Sequence, residues 1–174
     1  MLNRPTPDEH GSYYSLYIDK VSEGDLFAIL VEQLKNTVAL LSSLDDAQAD
    51  YRYAPGKWSV KEVLGHISET ERIMCYRLLR VARGDQTPLA GFDEEAFVRT
   101  GCFHARRMTD LLEEFTSVRQ ATLTLLRGVP EEAWTQTGNV NNGVLSARAL
   151  AYVLAGHEKH HVQVLQERYL LAQA

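Results

Sequence analysis

The sequence predicts an all-α fold, a four-helix bundle, and three observations carry that expectation. Four long stretches repeat apolar residues at helical spacing. Each stretch is bounded by capping residues or by glycine. No strand-like alternation of any length and no internal repeat interrupts them.

The first helix is expected from about Glu23 to Leu41, with Ser22 as N-cap and Asp25 in the first turn. Leu26, Leu30, Leu34 and Leu41 form its apolar stripe. The second opens at Ser59, where Ser59 and Glu62 make the S-x-x-E pattern of a capping box. It runs to about Arg83 and stops at Gly84, a residue that tolerates a left-handed terminal turn. The third spans about Thr109 to Arg127 and ends at Gly128, with Pro130 two residues on. The fourth starts after Ser146 and reaches about Leu171. Between them lie Asp45 to Lys57, with Pro55-Gly56, and the longest connection, Asp85 to Met108, where FDEEAF reads as a short helix. Gly138 to Gly143 (GNVNNG) is rich in residues that accept unusual backbone angles. A 20-residue helix is roughly 30 Å long, so these four can pack along most of their length.

At 174 residues, 45% hydrophobic and 24% charged, the chain suits one domain over residues 1–174. Residues 1–20 are expected to form an N-terminal extension covering the bundle, with Tyr13, Tyr14 and Tyr17 within it covering rather than binding ligand. Trp58 and Trp134 stand beside helix starts and should anchor them by burial. A net charge of −5 argues against a nucleic-acid partner, which selects basic surfaces. No run of 18 apolar residues suggests a membrane span. The polar, proline-containing start does not read as a signal peptide, and two cysteines, Cys75 and Cys102, are too few for a disulfide framework. A reducing, cytoplasmic location is therefore expected.

Chemistry concentrates in AGHEKHHVQVL, residues 155–165, which satisfies the zinc-peptidase pattern H-E-x-x-H. On a helical wheel Leu150, Val153, Leu154, His157, His161 and Val164 share one face. His157 and His161 are stacked one turn apart on the core-facing stripe, and His160 lies at its edge. Two imidazoles on an apolar face must both find partners, and a shared metal ion provides one. A peptidase asks for more. The extended pattern fails, with Val164 in place of glycine and Glu167 in place of histidine. Little chain follows His161 to supply a downstream glutamate, and Glu158 points off the apolar stripe, toward solvent or a supporting role. The peptidase match is read as coincidental.

A third ligand must then come from upstream. His10 lies in the polar N-terminal segment and His104 in the long connection, where a surface histidine is expected. His66 sits on the second helix at the margin of the arc of Val60, Leu64, Ile67, Met74 and Leu78. Its side is shared with Val63, Thr70, Ile73 and Arg77. His66, His157 and His161 together make three nitrogen ligands from two helices, and such a set leaves room for water or substrate. Arg77 could bind an anionic substrate, although a packed stem with its head in water is the commoner fate. Neutral imidazoles suit zinc, nickel and iron alike, so the metal stays open among divalent transition ions.

APGKWSVKEVLGHISETERIMCYRLLRVARGD, followed by AGHEKHHVQVLQERY, resembles the DinB-like (YfiT-like) superfamily of helical metalloproteins. YYSLYIDKVSEGDL and TPLAGFDEE extend the likeness over nearly the whole chain. The resemblance implies an up-up-down-down bundle with a long crossover and one divalent metal on His66, His157 and His161. It also implies thiol-dependent transferase or isomerase chemistry, with bacillithiol, mycothiol or glutathione as cosubstrate and a small-molecule electrophile. Glu62, Thr70, Arg77 and His160 are the candidates for pocket or supporting roles. A metal-dependent hydrolase and a non-catalytic, stress-associated metal-binding bundle are the alternatives. A homodimer is expected, as for many bundles of this size.

Overall fold

The computed structural model describes residues 2–170, and local capping chemistry sets most of its helix starts. The helices are α1 (Ser12–Ile18), α2 (Leu26–Ser42), α3 (Asp46–Asp50), α4 (Val60–Ala82), α5 (Glu94–Thr100), α6 (Met108–Arg127) and α7 (Ala147–Val164). Ser59 caps α4 as expected: its hydroxyl accepts from Glu62 N–H, and the Glu62 carboxylate accepts from Ser59 N–H at 2.7 Å. Ser146 and Asp93 cap α7 and α5 in the same manner. The start of α2 differs from expectation. Asp25, not Ser22, is its N-cap and accepts from Ala28 N–H at 3.1 Å, because Gly24 at φ +136° turns the chain immediately before it. Ser22 instead accepts from Lys159. At its far end α7 continues in π-helical turns over Leu165–Leu170, and Leu171 lies outside the described residues.

Helices α2, α4, α6 and α7 form the four-helix bundle, up-up-down-down, with α2 and α4 each packed against both α6 and α7. Gly138 to Gly143, expected as a connection, lies within a hairpin, β1 (Thr137–Val140) with β2 (Gly143–Ser146), pairing Val140 with Gly143. Four residues per strand are too few to show as alternation. Asn141 and Asn142, at φ +52° and +63°, make the tight two-residue turn. Leu89 of the crossover donates to Asn139 O and accepts from Asn141 N–H, which ties the crossover to the hairpin beside the bundle.

The hydrophobic core is split. One cluster joins α1 and the hairpin to Met74, Leu78 and Val81 of α4 and to residues 147–155 of α7. The other joins Val60, Leu64 and Ile67 of α4 to Leu111 and Phe115 of α6 and to Tyr169. Between them the four long helices contribute a buried polar layer: Thr37 from α2, His66, Thr70 and Glu71 from α4, Arg119 and Thr122 from α6, His157 and Glu158 from α7. Isolated polar groups at this depth are costly, so the layer must be satisfied internally or by a ligand.

Candidate metal centre

Two Gly-His dipeptides build the site. Gly65 precedes His66 on α4, and a Cβ there would lie 2.3 Å from the Phe103 ring. Gly156 precedes His157 on α7, and a Cβ there would lie 2.0 Å from Tyr17 O. The missing side chains let Phe103 close over one helix and let α1 lie against the backbone of the other. On α7 this brings the Tyr17 ring to 5.3 Å from His157.

His66, His157 and His161 converge, each offering a ring nitrogen within 4.8 Å of the others. His66 Nε2 and His157 Nε2 are 3.0 Å apart. His66 and His157 are buried, and His161 is partly so. Burial holds all three rings neutral: His66 is brought down to about 4 and His161 to about 3, in each case by loss of water and then by neighbouring histidines. His157 is pushed well below the ordinary value for the same reasons. Facing Nε2 atoms with so little space between them leave nitrogen lone pairs with few protons to share, a donor set that fits a divalent transition metal. Among the described residues no fourth ligating side chain joins the group, and His161 and His157 each line a hollow beside it.

Two hollows flank the cluster. A cleft of about 270 Å³ is lined by Trp58, Glu95, His160, His161 and Tyr169 among others. A smaller cavity of about 90 Å³ includes Tyr14, Tyr17, Thr70, Arg77, Glu94 and His157 in its lining. The sequence candidates divide between these surroundings. Thr70 Oγ1 lies 3.5 Å from His66 Nδ1 and can steer that ring. His160 is half-buried, edge-on to Tyr17 and 5.0 Å from the His161 ring. Glu62 is engaged elsewhere, in the α4 cap and in a pair with Arg52. Arg77 does not put its head in water: it is 3% exposed and donates to Ala90 O at 2.6 Å. His10 and His104 stand apart from the cluster, as expected. Burial raises the Cys75 thiol to about 12, which disfavours the thiolate that a nucleophile needs.

Glu158 is the main correction. Expected off the core, it is 1% exposed and accepts from Thr37 at 2.7 Å and from Arg119 at 2.6 Å. Arg119, fully buried, also donates twice to Glu71, at 2.8 and 2.7 Å. The carboxylate thus turns away from the histidines, and the failure of the peptidase pattern has a structural cause. The sequence also undervalued Tyr17 and Trp58, whose rings lie 5.3 Å from His157 and 4.8 Å from His66. Tyr13, Tyr14 and Tyr17 recur at helical spacing, a signal that could have placed α1 on the bundle.

The family model of the DinB superfamily matches residues 29–165, most of the chain. The chain belongs to the DinB superfamily. At 25% identity it is similar to a protein of Oceanobacillus iheyensis named "putative metal-dependent hydrolase", over 70% of both chains. A protein of Bacillus pumilus with the same description is 24% identical over 74% of each chain. Among solved structures, Bacillus subtilis YfiT, described as "a probable metal-dependent hydrolase with an unusual four-helix bundle topology", superposes with a TM-score of 0.77. The match covers 91% of this chain and 98% of YfiT at 16% identity. A mycothiol-dependent maleylpyruvate isomerase superposes with a TM-score of 0.65 at 14% identity, over 83% of this DinB-superfamily chain and 61% of the isomerase. Both structural likenesses concern the fold.

Proposed function

We propose that this DinB-superfamily protein is a metal-dependent enzyme acting on a small molecule, with one divalent transition-metal ion held by His66, His157 and His161. The observation that carries the reading is the convergence of three neutral imidazoles from two helices, flanked by two hollows that His161 and His157 line. When bound, the ion supplies a Lewis acid that favours the deprotonated form of water or of a thiol. The chain's own residues supply the rest. Thr70 steers the His66 ring, while Trp58 and Tyr17 keep bulk water off the cluster from two sides. Glu94 stands at the rim of the His157 cavity, its carboxyl raised above its ordinary value by lost water and then by Glu95 and Asp93. A carboxylate so tuned is suited to accept a proton from an attacking water.

Hydrolysis is therefore the reaction class we favour, in keeping with the description carried by both sequence relatives. Thiol transfer is the second reading. It draws on the shared fold with the mycothiol-dependent isomerase and on the larger cleft beside His161, which has room for the body of a thiol. Elemental analysis tests the shared premise: about one divalent ion per chain, absent from His66→Ala and His157→Ala, supports it. A metal-free protein whose melting temperature ignores added zinc and nickel would remove both readings. Turnover of a panel of esters and amides without thiol favours hydrolysis, whereas product formed only with bacillithiol, mycothiol or glutathione favours transfer.

A further inference from the structure

Of the buried cations among the described residues, Lys61 pairs with Asp50 at 3.0 Å and Arg119 with two glutamates. Arg77 is the exception: it forms no ion pair among the described residues. A guanidinium brings five N–H donors and stays protonated in proteins. At Arg77 the acceptors are Ala90 O at 2.6 Å and the weak Met74 Sδ at 3.6 Å, with the Phe92 ring 5.7 Å from Cζ. These hold the head in place without neutralising it. The crossover fixes the arrangement, because the Leu89 bonds to the hairpin set Ala90 over the guanidinium.

This uncompensated charge lines the 90 Å³ cavity that also contains His157 and the hydrogen-bonding side chains of Tyr14, Thr70 and Asn141. Glu94 shares that lining without pairing to the guanidinium. The space suits a group of a few heavy atoms. We infer that Arg77 is a substrate-binding residue whose vacant counter-charge is supplied by a carboxylate or phosphate group of the substrate. The inference rests on the reading of the three histidines as the reacting centre. It orients the substrate with its anionic end at Arg77 and its reacting end toward His157. The guanidinium fork selects flat or tetrahedral oxyanions, and Tyr14 and Thr70 can donate to their remaining oxygens.

Calorimetric titration of the full-length protein with acetate and, separately, with inorganic phosphate tests this, with metal content measured on the same samples. The expected result is saturable binding of at least one anion, weakened about tenfold or more in Arg77→Met with metal content unchanged. The more tightly bound anion identifies the group. Equal affinity in Arg77→Met, or no binding of either anion to the wild type, overturns the inference. Absence of metal from the wild type sinks the histidine reading alone, since anion binding is read separately. Should Arg77→Met fail to fold, ¹⁵N spectra of the wild type give an independent readout. The Arg77 Nε–Hε resonance, identified by its loss in Arg77→Lys, must move as anion is added; a resonance that stays put overturns the inference.

Discussion

Adjacent residues of α7 bury polar groups in opposite ways. Glu158 meets an internal counter-ion, Arg119, which is shared with Glu71 and buttressed by Thr37 and Thr122. The partners of Glu158 come from α2 and α6, Glu71 of α4 shares the same guanidinium, and the network is closed. One residue earlier, His157 meets the rings of His66, His161 and Tyr17, and among the described residues no charged side chain pairs with it. The same polar layer is thus complete on one shoulder of α7 and open on the other. The difference teaches where structure ends and function begins: the closed side holds the helices together, and the other side presents the three imidazoles on which the proposed ion would sit.

The sharpest way to break the comparison is to open the closed side. Arg119→Met should strand two buried carboxylates and lower unfolding free energy by about 3–5 kcal/mol in denaturant melts. A loss below 1 kcal/mol would mean that the two carboxylates do not depend on Arg119 as their counter-ion. Closing the open side is the converse. Zinc at about 100-fold excess over its dissociation constant should stabilise the wild type by about 2.7 kcal/mol. The same addition should leave His66→Ala unmoved in a thermal melt.

The cover over the open side can be disturbed alone. Gly156→Ala places a methyl against Tyr17 O, so α1 must shift, at about 1–3 kcal/mol of stability. Metal should still bind, because both α7 ligands stay on their helix; a variant that loses metal would show that α1 is needed to form the site. The smallest effect is expected where the N-terminal segment is fastened. Glu9 accepts from Ser146 and Arg148 at the start of α7, and its carboxyl sits at about 2. Burial opposes that depression and the hydrogen bonds outweigh it. A depressed carboxyl stabilises the fold above its unfolded value of 4.5, and that contribution fades as pH falls from 4.5 toward 2. Glu9→Gln should lose about 1–2 kcal/mol at pH 7 and flatten the acid limb of the stability profile.

Legibility in the sequence follows the range of the interactions. The capping box at Ser59 and Glu62, the caps at Ser146 and Asp93, and the stop at Gly84 all link residues within a turn, so their signatures lie side by side in the chain. His157 and His161 were visible for the same reason, as was His66 at the margin of an apolar arc. Glu158 was misplaced because a helical wheel counts a polar residue as outward. In fact α7 is surrounded by α1, α2 and α4, and residues 149–158 are buried on every side.

By itself, then, the sequence determined four amphipathic helices, where most of them begin, and which three histidines could share an ion. Tertiary structure decided which polar residues go inside. Arg119 reaches Glu158 across 39 residues and Glu71 across 48, while Thr37 reaches Glu158 across 121. Arg77 was drawn under the crossover by a carbonyl on a loop that is pinned to a hairpin. No local pattern records such pairings, because a charge tolerates burial only where a distant partner, or a ligand, arrives to meet it.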